Sequence, residues 1–393
     1  MHVCLIKCPS PFLIDEKVFP PLGLMAVGTG LKTQGHEVTI TDDIQAGFGY
    51  YGLGPVTPEY PHAKMIRRLI KEKSPDSKVV IGGSHATLDP EGCLADGFDC
   101  VVCGDGEIDT EQAFLGDTPI VKADTYFLSD YPIIDRSLVD IKSYKYFING
   151  KLATTMVTSR GCPYKCAFCC KNNSGVRLAP AEKVINEVRN LHDDFGYDAI
   201  MFFDDIFILN RKRVEAICAC LKEFGITWRC FVRADLVMKH GRSLIRTMAD
   251  SGCVEVGMGV ESGSDKILDV INKGESTETI KSAIQLLHEE GIRVKGFFIV
   301  GLPGESQETI EETQRFLEQT YLDDMDFTIF QPYVGSPIWN NKALYDIGWN
   351  DLDFEMMFYK GKPGEYHSMV WTSSLSAEDI VKLRDRLECQ LKN

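Results

Sequence analysis

The sequence predicts a two-domain α/β protein: a doubly wound parallel-sheet domain, then a partial (βα)6 barrel and a short C-terminal region. Three observations carry this. A chain of 393 residues is longer than one ordinary core organises. Short apolar runs alternate with helical periods through residues 1–123, the signature of a parallel sheet with helices on its faces. A second alternation with a longer repeat starts at Lys151 and continues to about residue 339.

In the first segment the order is VCLIK, LGLMAVGTGLKTQG, EVTITD, HAKMIRRLIKEK, KVVIGG and CVVCG: strand, helix, strand, helix, strand, strand. This is a Rossmann/flavodoxin-like arrangement. Residues 124–150 lack a clean period and read as an ordered linker. The barrel strands are ATTMVTS, AIMFFD, TWRCFV, VEVGMGV, VKGFFIV and DFTIFQP, with helical patterns between them such as PAEKVINEVRNLHDDF and SQETIEETQRFLEQ. Active sites of such folds sit at the carboxyl ends of the strands, so functional residues should follow strands. Residues 340–393 read as a cap over the barrel or its cavity.

Composition excludes several classes. Hydrophobic content of 44% with 25% charged residues is that of a globular protein, and no apolar run approaches the roughly 20 residues of a membrane helix. The N-terminus MHVCLIKCPSP shows no secretory signal, so the expectation is a cytoplasmic protein. A net charge of −15 argues against an extended nucleic-acid surface and favours a small-molecule or peptide-like substrate. With 14 cysteines in a long chain, clustered ones point to metal or catalysis, while Cys218, Cys220, Cys253 and Cys389 read as packing residues.

The string SRGCPYKCAFCC follows the first barrel strand and places Cys162, Cys166 and Cys169 in a CxxxCxxC pattern. Three thiolates on one short loop suit three irons of a cubane and leave the fourth iron open to a ligand's amino and carboxylate groups. A zinc site would need Cys170 or a distant fourth ligand, and adjacent thiolates fit a tetrahedral ion poorly. Cys170 reads as a packing neighbour, with a redox role left open.

On these residues, the stretch from Thr154 to Pro332 resembles the radical S-adenosylmethionine (SAM) superfamily. The resemblance implies that Cys162, Cys166 and Cys169 hold a [4Fe-4S] cluster and that Phe168 lies against the adenine. It implies that Asp204 and Asp205 receive the methionine amine or organise the site; capping the following helix near Asn210 is the alternative. Arg229 and Arg233 alternate to one side of their strand, and the resemblance gives Arg233 to the methionine carboxylate, with surface ion pairing as the plain reading. Glu261 and Ser262, in GVESGSDKIL, match ribose contacts, although a cap by Ser264 explains part of that string. Gly301 and Gly304, in GFFIVGLPGE, match an adenine-binding turn.

The N-terminal segment is similar to the cobalamin-binding domain that precedes this barrel in one large subgroup, the class B methyltransferase-like enzymes. The matching strings are KCPSP, FPPLGLMAVGTGLKTQGHEVTITD, TPEYPHAKMIRRLIKE, VVIGGSHAT and CVVCGDGE. They place Pro9, Ser10 and Pro11, then Gly82, Gly83, Ser84 and His85, then Gly104, Asp105, Gly106 and Glu107, at strand ends where such sheets bind cofactors. The DxHxxG string that brings a histidine to cobalt elsewhere is absent, so no cobalt ligand is assigned.

The implied function is a cobalamin-dependent radical methyltransferase. One SAM methylates cobalamin, and a second is cleaved to a radical that activates an unactivated substrate carbon. The implied partner is an external electron donor such as flavodoxin or ferredoxin. Cyclisation or ring rearrangement with the same cofactors is the main alternative. Methylthiolation of tRNA lacks an evident basic module here, and a non-catalytic cobalamin or redox sensor would leave the strand-end residues without purpose.

Overall fold

A computed structural model describes residues 1–11, 13–170, 175–350 and 364–391. Tyr359, which the sequence offers together with Tyr333, Trp339 and Trp371 as lining for a substrate pocket, lies outside them. The chain forms two compact units, Met1–Tyr146 with Asn172–Ala179, and Phe147–Lys171 with Pro180–Asn393.

The first unit contains β1 (His2–Ile6), α1 (Leu22–Thr33), β2 (Glu37–Thr41), β3 (Tyr50–Leu53), α2 (Tyr60–Lys73), β4 (Lys78–Ile81), α3 (Gly83–Leu88), α4 (Pro90–Ala95), β5 (Cys100–Cys103), α5 (Gly106–Leu115) and β6 (Ile120–Lys122). Its described strands form one parallel sheet in the order β2-β1-β3-β4-β5-β6. Helices cover both faces of the middle strands, so Val3 to Ile6 are all buried and β1 reads as a continuous apolar run. Val3, Leu5, Leu31, Val80, Val102 and Phe114 share one core, each large side chain contributing about 1.5–3 kcal/mol by burial. Strand β3 and the short β6 had no readable period. In YYGL, a Cβ on Gly52 would lie 2.6 Å from the Leu5 side chain, so glycine lets Leu5 pack over this strand.

Helices α1 and α5 approach most closely at Gly30. A Cβ on Gly30 would stand 1.7 Å from the Glu107 carbonyl oxygen, so Gly30→Ala must push the helices apart. The expected loss is about 1–3 kcal/mol, measured as a lowered unfolding temperature.

The predicted linker 124–150 belongs mostly to this first unit. Leu128, Tyr131, Arg136, Ile141 and Tyr144 are buried, and Asp135 accepts from Lys32 Nζ at 2.6 Å and from its own Ser137. Its irregularity reflects anchoring by individual side chains rather than by a periodic face.

The second unit runs β7 (Tyr146–Ile148), β8 (Lys151–Met156), β9 (Ser159–Arg160), and, after the chain returns to the first unit for β10 (Arg177–Leu178), α6 (Ala181–Asp193), β11 (Ala199–Phe202), α7 (Arg211–Glu223), β12 (Thr227–Val232), α8 (Ala234–Asp250), β13 (Cys253–Glu261), α9 (Asp265–Val270), α10 (Thr277–Glu289), β14 (Arg293–Val300), α11 (Gln307–Gln319), β15 (Asp324–Ile329), α12 (Pro337–Asn340), β16 (Gly348–Trp349), β17 (Val370–Trp371) and α13 (Ala377–Leu391). Its sheet has the order β15-β14-β13-β12-β11-β8-β7, with β8 and β11 to β15 paired in parallel. This is the expected open barrel of six strand–helix repeats. Trp228, Cys230 and Val232 of β12, and Phe298 and Val300 of β14, are buried, whereas the alternate residues Arg229, Phe231, Lys295 and Phe297 are partly open. Helix α13 is fastened to β15, Arg384 Nε donating to the Phe327 carbonyl at 2.9 Å.

Candidate active site

The loop bearing the three cysteines leaves β8 through Thr158. The Thr158 N–H and hydroxyl each donate to one oxygen of Asp204, both at 2.5 Å. Arg213 of α7 donates to the Thr158 carbonyl at 2.8 Å and to its hydroxyl oxygen at 2.6 Å. Burial pushes the Asp204 carboxyl up, against the hydrogen bonds of Thr158 and Ser159 and the charge of Arg213. Asp204 therefore fastens the entrance to the loop. It does not cap α7, a role taken by Asn210, which accepts from the Arg213 N–H at 3.0 Å. Asp205 is exposed beside it.

The loop is pinned from two sides: the Ala167 N–H donates to the Ile271 carbonyl at 2.7 Å, and the Ile338 N–H donates to the Ala167 carbonyl at 3.1 Å. This leaves Cys166 buried, Cys162 and Cys169 half-buried and Phe168 half-buried beside them. Three soft sulfur donors on one fastened loop suit a cluster whose irons are each taken by a different thiolate. Among the described residues no three His, Cys, Asp or Glu side chains converge to hold a single metal ion. Cys170 points elsewhere. Its thiol donates to the Val334 carbonyl at 3.2 Å, and burial pushes it up to about 12.

Arg233, the N-cap residue of α8, is 6% exposed. Its guanidinium lies 3.7 Å over the Tyr164 ring, and Nη1 donates toward Cys166 Sγ at 3.7 Å. Its other donors go to Asp235 Oδ1 at 3.2 Å and the Lys273 carbonyl at 2.7 Å, with Glu275 Oε2 at 3.4 Å. Tyr164 donates its hydroxyl to Asp235 at 2.5 Å. Arg233 is thus a buried hub, not a surface ion pair. Arg229 pairs lower in the strand with Glu255 at 2.9 Å.

Glu261 ends β13 at φ +65°, where the register with β14 shifts. That left-handed conformation is uncommon for a side-chain-bearing residue and recurs at functional sites. Its carboxylate accepts from Lys273 Nζ at 2.9 Å. Gly259 leaves room for this pair, since a Cβ there would lie 2.3 Å from Glu261 Oε1. Ser262 is buried, its hydroxyl 3.3 Å from that of Thr313. Ser264 occupies the N-cap position of α9, but its hydroxyl donates to Glu312 instead of capping.

Gly301 has φ +89°, and its N–H donates to Glu305. A Cβ on Gly301 would lie 3.0 Å from Ile380 of α13, so the C-terminal segment covers this turn. Burial pushes the Glu305 carboxyl from its ordinary 4.5 up to about 8, only partly offset by the Gly301 and Leu302 amides. Between those values the folded state keeps a proton that the unfolded chain has released. Stability from this group is therefore fully present below about pH 4.5 and is lost as pH rises through about 8. Over that window the unfolding temperature of the native protein is expected to fall relative to Glu305→Gln.

In the first unit the sheet order changes direction between β1 and β3, the position where doubly wound sheets bind ligands beyond their carboxyl ends. All three predicted loops follow carboxyl ends of strands in this sheet, and the first, after β1, lies at the switch point itself. Pro9 to Pro11 follow β1, and the Ser10 N–H donates to Glu16 at 2.6 Å. Gly82 to His85 follow β4; Gly83 (φ +83°) and Ser84 are exposed, and a Cβ on Gly83 would lie 3.0 Å from Gly54 backbone. Gly104 (φ +95°), Asp105 and Gly106 follow β5, while Glu107 is buried in α5. The His85 ring stacks on Tyr60 at 3.9 Å, lies 3.2 Å from the Thr57 hydroxyl and is held neutral by burial at about 4.

Sequence reasoning missed Tyr164, Asp235, Lys273 and Glu275. The available signal was charge in short connections between apolar elements, RAD after β12 and NKGE after α9.

Comparisons with known proteins agree with both units. The radical SAM superfamily model matches residues 156–317 and the B12 binding domain model residues 51–114. An uncharacterized methyltransferase of Pyrococcus horikoshii is 28% identical, covering 89% of this chain and 85% of its own length. An anaerobic magnesium-protoporphyrin IX monomethyl ester cyclase of Rubrivivax gelatinosus is 26% identical, over 73% of this chain and 57% of its own length. The radical SAM methyltransferase TsrM of Kitasatospora setae, solved with cobalamin and a [4Fe-4S] cluster, shares the fold at a TM-score of 0.71 and 15% identity, covering 91% of this chain and 79% of its own. With the three-cysteine loop at the head of an open barrel that follows a doubly wound sheet, the chain carries a radical SAM region preceded by a B12 binding region.

Proposed function

We propose that this chain is a cobalamin-dependent radical SAM methyltransferase acting on an unactivated carbon of a small-molecule or peptide-like substrate. The observation that carries the reading is the combination, in one chain, of the loops at the carboxyl ends of β1, β4 and β5 in a doubly wound sheet with the fastened three-cysteine loop after β8. Cys162, Cys166 and Cys169 would hold the cluster, and the loops 9–11, 82–85 and 104–107 would hold cobalamin. When bound, the cluster supplies the electron that cleaves SAM and cobalamin supplies the methyl carrier.

The protein's own contribution is positional. Asp204, Thr158 and Arg213 fix the loop entrance, and the Arg233 hub fixes its middle. Phe168 is the side chain for the adenine and exposed Asp205 the carboxylate for the methionine amine. The backbone N–H groups of Ser262 and Gly301 already donate to the Val260 carbonyl and to Glu305, so only their carbonyls are offered for contact with SAM at those positions. An external one-electron donor of the flavodoxin or ferredoxin class completes the system. Among the described residues no helix is long and apolar enough to cross a membrane, and a cytoplasmic, reducing location suits the cysteine-rich sequence.

The likeness to the cyclase favours one second reading, ring formation with the same cofactors and no net methyl transfer. The test begins with anaerobic reconstitution using iron, sulfide and hydroxocobalamin, followed by removal of free cofactor and measurement of retained cobalamin. Near-stoichiometric retention is expected. Methyl transfer predicts both S-adenosylhomocysteine and 5′-deoxyadenosine from SAM, whereas cyclisation predicts 5′-deoxyadenosine alone. Cluster assembly without cobalamin retention would overturn the methyltransferase reading.

A further inference from the structure

We infer that Arg233 is a positioning residue for the cluster, directing a charged donor at the Cys166 sulfur and so raising the potential at which the cluster takes up its electron. The inference rests on the reading of Cys162, Cys166 and Cys169 as cluster ligands, and replaces the expectation that Arg233 receives the methionine carboxylate.

The guanidinium is held in one orientation from every side. Tyr164 lies under it at 3.7 Å, Asp235 takes Nε at 3.2 Å, and the Lys273 carbonyl takes Nη2 at 2.7 Å. The two carboxylates that face it are themselves engaged: Asp235 accepts from Tyr164, and Glu275 accepts from the Asp235 N–H at 2.9 Å and lies 3.7 Å from Lys273 Nζ. What remains is the Nη1 edge, and it is aimed at Cys166 Sγ. Arginine suits this use because its charge is permanent and its donors form a rigid fork. Cluster potentials respond to net charge and to hydrogen bonds at the sulfurs. One-electron uptake adds negative charge to the cluster, so a nearby cation and N–H donor favour the reduced form. No bond forms or breaks in this step; the electron comes from the external low-potential donor.

The test is a potentiometric titration of the anaerobically reconstituted cluster, without SAM, followed by electron paramagnetic resonance. Native protein is compared with Arg233→Gln, Arg233→Lys and Tyr164→Leu, the last retaining the charge but removing the ring that orients it. Arg233→Gln is expected to shift the midpoint downward, with Arg233→Lys and Tyr164→Leu between it and the native value. Variants with full iron and sulfide that titrate at the native potential would overturn the inference. So would weakened SAM binding in Arg233→Gln at an unchanged potential, which would return the residue to the methionine carboxylate. Failure of the native chain to assemble a four-iron cluster is a separate result, overturning the cluster reading and this inference together.

Discussion

Replacing Cys166 by alanine is expected to leave a folded chain that retains background iron and sulfide after anaerobic reconstitution and forms no 5′-deoxyadenosine from SAM. Cys166 is the most enclosed of the three cysteines, and its sulfur faces the Arg233 guanidinium. A three-thiolate site has no spare protein ligand, so losing one removes an iron's anchor. Cys162→Ala and Cys169→Ala should behave alike. Cys170→Ala is the control and should keep the cluster, because that thiol is committed to the Val334 carbonyl. Iron and sulfide analysis with the visible absorbance of the reconstituted protein gives the answer. A cluster-free Cys170→Ala would move the ligand set.

Arg213→Met is expected to cost about 3–5 kcal/mol, because it strands the Asp204 carboxylate in the interior without its counter-charge. Thr158 would keep its bonds to Asp204 but lose both from Arg213. The loss should appear as a lower unfolding temperature, and adding Asp204→Leu should recover much of it, since removing both charges leaves no unpaired ion. An Arg213→Met protein as stable as the native one would mean that the pair does not fasten the loop.

The barrel was legible because most of its strands share one local logic, an apolar run followed by an amphipathic helix, four of these helices, α6, α7, α10 and α11, being 13 residues long. The cysteine loop stands out in the sequence by its CxxxCxxC spacing and its place after the first barrel strand. What sequence could not supply was direction. Asp204 and Asp205 are adjacent, yet one is enclosed by Thr158 and the other exposed, a difference set by the path of the chain after β11. The glycines of GLPGE announced a close approach, but not that Ile380, 79 residues from Gly301, makes it. In the first unit the missed β3 is four residues long and depends on Gly52 beneath Leu5, a fit that no periodicity records.

The discontinuity of the first unit bears on how this chain can be dissected. Arg177 belongs to it although it follows the cysteine loop in sequence, and it donates to Asp105 in the loop after β5 and to the Tyr126 carbonyl at 3.1 Å. No single cut therefore releases an intact B12 binding module. A fragment ending near residue 150 would leave the β5 loop without its arginine, and a transplant of the module into another scaffold would have to carry residues 175–179 as a second insert.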